Sequence, residues 1–141
     1  GARVLTPHEG ELGRLLGVPS ADVAADRFGA ARRAADATGA TVVLKGYRTL
    51  VATPGGALFV CLAGNAVLAT AGSGDVLTGV LGALACTVDL ERAACAAVYL
   101  HALTADRWRE RVGADRGMVA GDLVAGLPET LGAVLRGEPA A

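Results

Sequence analysis

Apolar positions along the chain follow two different periods, and they divide it into strands and helices. Val4-Leu5 reads as the end of a strand, stopped by Thr6-Pro7. In Glu9–Leu16, Leu12, Leu15 and Leu16 fall on one helical face, and Gly17 closes the run. Ser20 predicts an N-cap for one helix over Ala21–Thr38, with Asp22 in its first turn and Gly39 as its stop. Thr41-Val42-Val43-Leu44 is a β-branched strand, after which Lys45-Gly46-Tyr47-Arg48 turns the chain. Thr49–Thr53 and Leu58–Leu62, joined by Pro54-Gly55-Gly56, predict an antiparallel hairpin. A long loop of small residues then runs from Ala63 to Asp75. Beyond it the period becomes helical: Val76–Cys86, Leu90–Arg111 and Val119–Leu135, with a break or kink expected at Pro128. The tail Gly137–Ala141 is expected to fray.

Strands come early and helices late, and the chain opens on a strand with no helix before it. A self-sufficient α/β domain alternates the two. The pattern therefore predicts the C-terminal part of a larger α/β domain: a mostly parallel sheet flanked by helices, with a β-hairpin. Composition agrees. Of 141 residues, 52% are hydrophobic and 19% charged, which calls for a packed core. Aromatics are only 4% and glycines number 20, so that core is built from light side chains and is marginal alone.

The formal net charge of -1 supplies no global field for nucleic acid. Cys61, Cys86 and Cys95 form no CxxC pair, which suits reduced thiols, a cytoplasmic location and no metal cluster. The longest apolar stretch, Val76–Val88, falls short of the roughly 20 residues that cross a bilayer.

Three stretches carry candidate chemistry. Gly72-Ser73-Gly74-Asp75 stands directly before an apolar helix. Glycines allow close backbone approach, and the first amides of a helix lack internal partners and carry the positive end of its dipole. Gly72, Ser73 and Gly74 thus form a candidate phosphate cradle. Asp75 at its mouth is placed to take a proton from an attacking hydroxyl. The alternative is that Ser73 or Asp75 simply caps the helix. His8, in Thr6-Pro7-His8-Glu9-Gly10-Glu11, follows a strand end, where ligands of open α/β sheets bind. The alternative there is a helix start, with Glu9 and Glu11 answering the dipole. Lys45, after its strand and before Gly46, either reaches a phosphate or ribose or sits on a plain turn. His101 reads as a packed histidine inside an apolar helix that also holds Asp106 and Trp108, and Asp122 as a first-turn helix residue.

In order, the chain carries LTPHEGELGRLLG, VVLKGYRTLVATPGG, GNAVLATAGSGDVLTGVLGAL, AACAAVYLHALTAD and GMVAGDLVAGLP. This series resembles the ADP- or ATP-dependent NAD(P)H-hydrate dehydratases, a branch of the ribokinase-like kinases, over the C-terminal half or so of their domain. The resemblance implies that residues 1–141 are the C-terminal portion of one such domain, without its N-terminal part. It implies repair of hydrated NADH and NADPH: a nucleotide, by preference ADP, and Mg²⁺ phosphorylate the ring hydroxyl, and phosphate then leaves. It assigns Asp75 as catalytic base, also touching substrate, Gly74 as a nucleotide contact and His8 as a contact to the hydrated dinucleotide. Lys45, Gly46, Tyr47, Arg48 and Thr49 line its nucleotide site. Homo-oligomers and an attached epimerase domain are further expectations. Ser73 stands where the family often has Thr, Tyr47-Arg48 where a smaller pair is common, and Glu9 where Pro is usual. The alternatives are a vitamin-alcohol kinase of the same fold, and a non-catalytic fragment.

Overall fold

The computed structural model describes residues 1–138. Its elements, in chain order, are β1 (Val4–Leu5), α1 (Glu9–Leu16), α2 (Ser20–Ala25), α3 (Arg27–Thr38), β2 (Thr41–Leu44), β3 (Leu50–Ala52) and β4 (Leu58–Val60). A single 3₁₀ turn at Ala66–Leu68 precedes α4 (Ser73–Ala85), α5 (Leu90–Val112) and α6 (Ala120–Leu135). The strands form one sheet in the order β1-β2-β3-β4. β1 pairs parallel to β2, Val4 opposite Thr41. The hairpin expected between β3 and β4 forms, with Val51 opposite Phe59. β2 and β3 also pair antiparallel, Val43 opposite Val51, so the sheet among the described residues is mixed, with its parallel content in β1 and β2. The five-residue connection Lys45–Thr49 explains this, because a parallel neighbour needs a crossover of a dozen residues or more.

Both faces of the inner strands β2 and β3 are covered, whereas the edge strand β4 leaves Phe59 and Val60 exposed. Val42, Leu44, Leu50 and Ala52 pack with Leu12, Val23 and the Ala30, Ala31, Ala34 and Ala35 face of α3. Val43 and Val51 point the other way, onto Leu77 and Leu81 of α4 and Ala94, Ala97 and Val98 of α5. β2 is buried along its whole length, as an inner strand with helices on both faces should be. A third cluster joins the 3₁₀ turn to α5 and α6 through Val67, Ala105, Trp108, Met118 and Leu123. No helix among the described residues is long and apolar enough to cross a membrane.

Four expectations change. The helix foreseen over Ala21–Thr38 is two helices, broken at Asp26 with φ −138° and ψ 70°. The Asp26 carboxylate accepts the Gly29 amide at 2.8 Å, and this local bond beats the helical period. Ser20 is the first residue of α2, whose N-cap is Pro19, and its side chain caps nothing. α6 continues through Pro128 as one helix rather than breaking. In the tail, Gly137 and Glu138 are tied to the last turn of α6, their amides donating to Val134 O at 3.0 Å and Ala133 O at 3.1 Å. The rest of the foreseen frayed segment, 139–141, lies outside the described residues.

Candidate active site

The three stretches singled out by sequence converge beside the carboxyl end of β2. A cavity of about 400 Å³ is walled on one side by Lys45–Thr49 and on the other by Gly64–Ala69, with Ser73 and Gly74 at one end. Leu68, Leu77, Val98 and Ala102 give it an apolar floor. Its size and its mix of apolar wall and few polar groups suit a small organic ligand. A second cavity of about 370 Å³, between α5 and α6, holds none of the candidate residues.

α4 starts three residues earlier than its apolar period suggests, at Ser73. Gly72 makes that start possible. Its φ is 82°, and a Cβ there would lie 3.1 Å from the Ala120 Cβ. No side chain caps the helix. The Ser73 hydroxyl donates instead to Leu68 O at 2.8 Å, and Asp75 is exposed on the third residue of α4. The capping alternative for this motif is therefore not what the chain adopts. The cradle is narrower than the sequence suggested: the Ser73, Asp75 and Val76 amides donate to Thr70 O, Gly72 O and Gly72 O. Gly74 N–H has no protein acceptor among the described residues, and Gly74 lies on the cavity wall.

Lys45 connects the parts. Its Nζ lies 3.6 Å from Glu11 Oε2 and 3.4 Å from where a Cβ on Gly74 would sit. An ammonium beside a free helix-start amide is a favourable place for phosphate oxygens. Arg48, with φ 60°, sets its guanidinium 5.2 Å from the Tyr47 ring centroid and donates to Leu62 O at 2.9 Å. Tyr47 itself is 79% exposed, an unusual place for an aromatic ring.

His8 does not line the cavity. It is the N-cap of α1: its Nδ1 accepts the Gly10 and Glu11 amides at 3.0 and 3.2 Å, and Glu11 Oε2 accepts the His8 amide at 2.7 Å. That reciprocal box stabilises the turn by about 1 kcal/mol. The His8 backbone N–H, with the Lys45 ammonium behind it, lowers the Glu11 carboxyl below its usual value. Nδ1 is committed, so Nε2, 3.6 Å from Glu11 Oε1, is the nitrogen open to a ligand. The Thr6 hydroxyl meets the Thr78 hydroxyl at 3.4 Å, which brings this segment against the first turns of α4.

Two anchors of the site were not legible as such in sequence. Asp106, on α5, accepts the Gly64 amide and Asn65 Nδ2, each at 2.7 Å. Asn65 Oδ1 in turn caps the 3₁₀ turn through the Val67 amide at 3.0 Å. His101 is buried, as expected, and its Nε2 lies 2.9 Å from Ser73 O. A carbonyl only accepts, so Nε2 carries the proton. Burial pulls the imidazole below its usual pKa, and the bond to Ser73 opposes that only in part. A neutral His101 thus steadies the first turn of α4 from beneath. The residues around Asn65 and His101 give no local hint of these partners, 41 and 28 positions away.

The sequence profile of the NAD(P)H-hydrate dehydratase family matches residues 1–129. The chain belongs to that family. The ADP-dependent (S)-NAD(P)H-hydrate dehydratase of Neisseria meningitidis is 50% identical over 121 residues, 85% of this chain and 41% of that protein. A bifunctional NAD(P)H-hydrate repair enzyme of Coxiella burnetii is 44% identical over 121 residues, 85% of this chain and 25% of that one. The ADP/ATP-dependent NAD(P)H-hydrate dehydratase of Bacillus subtilis, co-crystallised with ATP/Mg²⁺ and soaked with CoA, superposes with a TM-score of 0.86 at 36% identity. That match covers 92% of this chain and 48% of that structure. The chain spans half or less of the length of the relatives it matches. The dehydratase fold is shared over that span, and with it the ribokinase-like α/β class.

Proposed function

We propose that this chain is the C-terminal portion of a ribokinase-like dehydratase domain that returns hydrated NADH and NADPH to the dihydronicotinamide, with ADP as phosphoryl donor. The observation that carries this is the convergence of Lys45 and the free Gly74 amide on the wall of a single cavity; Asp75, the next residue of α4, does not line that cavity and is exposed beside it. Nucleoside fills the cavity between Tyr47-Arg48 and the Gly64–Ala69 wall. Gly46 and Thr49 shape the same wall, and phosphates lie at Gly72–Gly74 with Lys45 beside them. ADP is preferred over ATP because the Neisseria relative is ADP-dependent.

The chemistry follows from that placement. Hydroxide is a poor leaving group and phosphate a good one. Asp75 takes the proton of the ring hydroxyl, whose oxygen attacks the terminal phosphorus, and the bond to AMP breaks. The ring nitrogen's lone pair then expels inorganic phosphate, the neighbouring ring carbon loses a proton, and the double bond returns. Gly74 N–H and Lys45 Nζ stabilise charge on the transferring group. His8, through Nε2, and Asp75 contact the hydrated dinucleotide.

Mg²⁺ fits this site as a passenger of the phosphates. The described residues hold no group of three or more His, Cys, Asp or Glu able to form a protein cage, and Mg²⁺ commonly rests on phosphates and water with one or two carboxylates. Asp75 is the carboxylate placed to take part, and the ion would offset phosphate charge. A cytoplasmic homo-oligomer, acting where the dinucleotide pool is, completes the reading. The bifunctional Coxiella relative supports an epimerase activity joined to or paired with this one.

The test is to incubate hydrated NADH, Mg²⁺ and ADP or ATP with the full-length protein and follow dihydronicotinamide absorbance and free phosphate. Recovery with stoichiometric phosphate, lost by at least about 10³-fold in Asp75→Asn, is expected. A stable phosphate ester without recovery identifies a kinase instead. Activity that survives Asp75→Asn removes the assigned base.

A further inference from the structure

Arg27 is the first residue of α3, a place where a cation opposes the helix dipole. Its location therefore needs another reason, and its partners supply one. The guanidinium lies under the Lys45–Thr49 loop and donates to four main-chain carbonyls. Nη1 bonds Tyr47 O and, at 3.3 Å, Arg48 O; Nη2 bonds Leu44 O and Lys45 O, each at 3.4 Å. On its other edge, Nε lies 3.0 Å from Glu9 Oε1, an ion pair without hydrogen-bond alignment. The side chain is mostly buried, at 17% exposure.

The loop is shaped around this group. Gly46 has φ 142°, and a Cβ there would lie 2.9 Å from Arg27 Nη2, so the backbone rests directly on the guanidinium. Arg48 follows with φ 60°, a conformation that costs a non-glycine residue about 1 kcal/mol or more and persists only where its surroundings impose it. Two carbonyls on each side of Gly46 are held by one rigid plane of donors. Only arginine offers that fork; a lysine ammonium reaches fewer of these oxygens. Arg27 does not line the cavity, yet the loop it holds forms one wall of it.

From this geometry we infer that Arg27 is the positioning residue of the nucleotide site, fixing Lys45, Tyr47 and Arg48 for ADP while touching no ligand itself. Through Glu9 it also ties that loop to the segment that carries His8. The inference rests on the nucleotide reading of the cavity, and its test separates the two.

The measurements are ADP titration calorimetry and steady-state kinetics on the full-length wild type, Arg27→Ala and Arg27→Lys, with thermal melting of each. Arg27→Ala is expected to weaken ADP binding tenfold or more, and Arg27→Lys to fall between it and wild type. The KM for hydrated NADH should stay within twofold in Arg27→Lys, which keeps the charge beside Glu9, and should rise less than the ADP constant in Arg27→Ala. Should Arg27→Ala fail to fold, Arg27→Lys, which keeps the charge beside Glu9, carries the comparison. Unchanged ADP affinity in a folded variant overturns the inference. So does an equal rise in both KM values, or loss of folding in both variants, each of which marks a purely structural arginine. A wild type that binds no ADP overturns the nucleotide reading itself.

Discussion

Removing the Asp106 carboxylate should loosen one wall of the cavity without touching the other. Its two oxygens hold the Gly64 amide and Asn65 Nδ2 at 2.7 Å each. Gly64, at φ 101°, rests on α5 so closely that a Cβ would come 3.2 Å from the Ala102 Cβ. Hydrogen bonds to a charged partner contribute about 1.5–3 kcal/mol each, and half-burial argues for the lower end. Asp106→Ala should therefore cost about 3 kcal/mol. Asp106→Asn keeps one acceptor but sets its NH₂ against a donor, for a cost of about 2 kcal/mol. Urea unfolding followed through Trp108, which packs in the same cluster as Val67, reads this directly. ADP affinity should fall with it, because Gly64–Ala69 is cavity wall. Glu110→Gln, an exposed change on the same helix, is the control and should stay within about 0.5 kcal/mol. If both Asp106 variants also stay within about 0.5 kcal/mol and bind ADP normally, the anchor does not operate.

Two further outcomes separate stability from function. Gly74→Ala meets only the flexible Lys45 side chain, Nζ at 3.4 Å and Cδ at 3.9 Å, and gains helix propensity, so it should melt at or slightly above the wild-type temperature, yet weaken ADP binding at least about tenfold by covering the free amide. A matched loss of both, or of neither, rules out that role. For His101, burial depresses the folded-state pKa, so the unfolded chain takes up the proton first as pH falls through about 6.5. The stability tied to neutral His101 is present above that pH and is lost as pH falls towards the depressed folded value. Urea unfolding of His101→Gln should show a flatter decline between about pH 7.5 and 5 than wild type, and an identical slope refutes the assignment.

What the sequence made legible was whatever repeats or bends in a recognisable way. Leucine and valine periods located α1, β2, α5 and the hairpin to within a residue or two. Glycines marked the two turns, Lys45–Thr49 and Gly72–Asp75, that meet at the cavity. Ser73-Gly74-Asp75 carries no apolar period, so the start of α4 was placed three residues late. Asp26 was hidden inside an alanine-rich helical pattern, where its cap outweighs propensity. His8 was singled out for a ligand, yet its ring first closes a helix. Arg27, Asp106 and His101 act on backbone atoms 17 to 42 positions away, and such partners leave no local trace.

A crystal structure of the full-length protein with ADP tests the nucleotide site most directly. The nucleoside should lie between Lys45–Thr49 and Gly64–Ala69, with the terminal phosphate against the Gly74 N–H, beside Lys45 Nζ and facing Asp75. ADP seated between α5 and α6, or anywhere that leaves the Gly74 amide untouched, would contradict the site and the role given to Asp75.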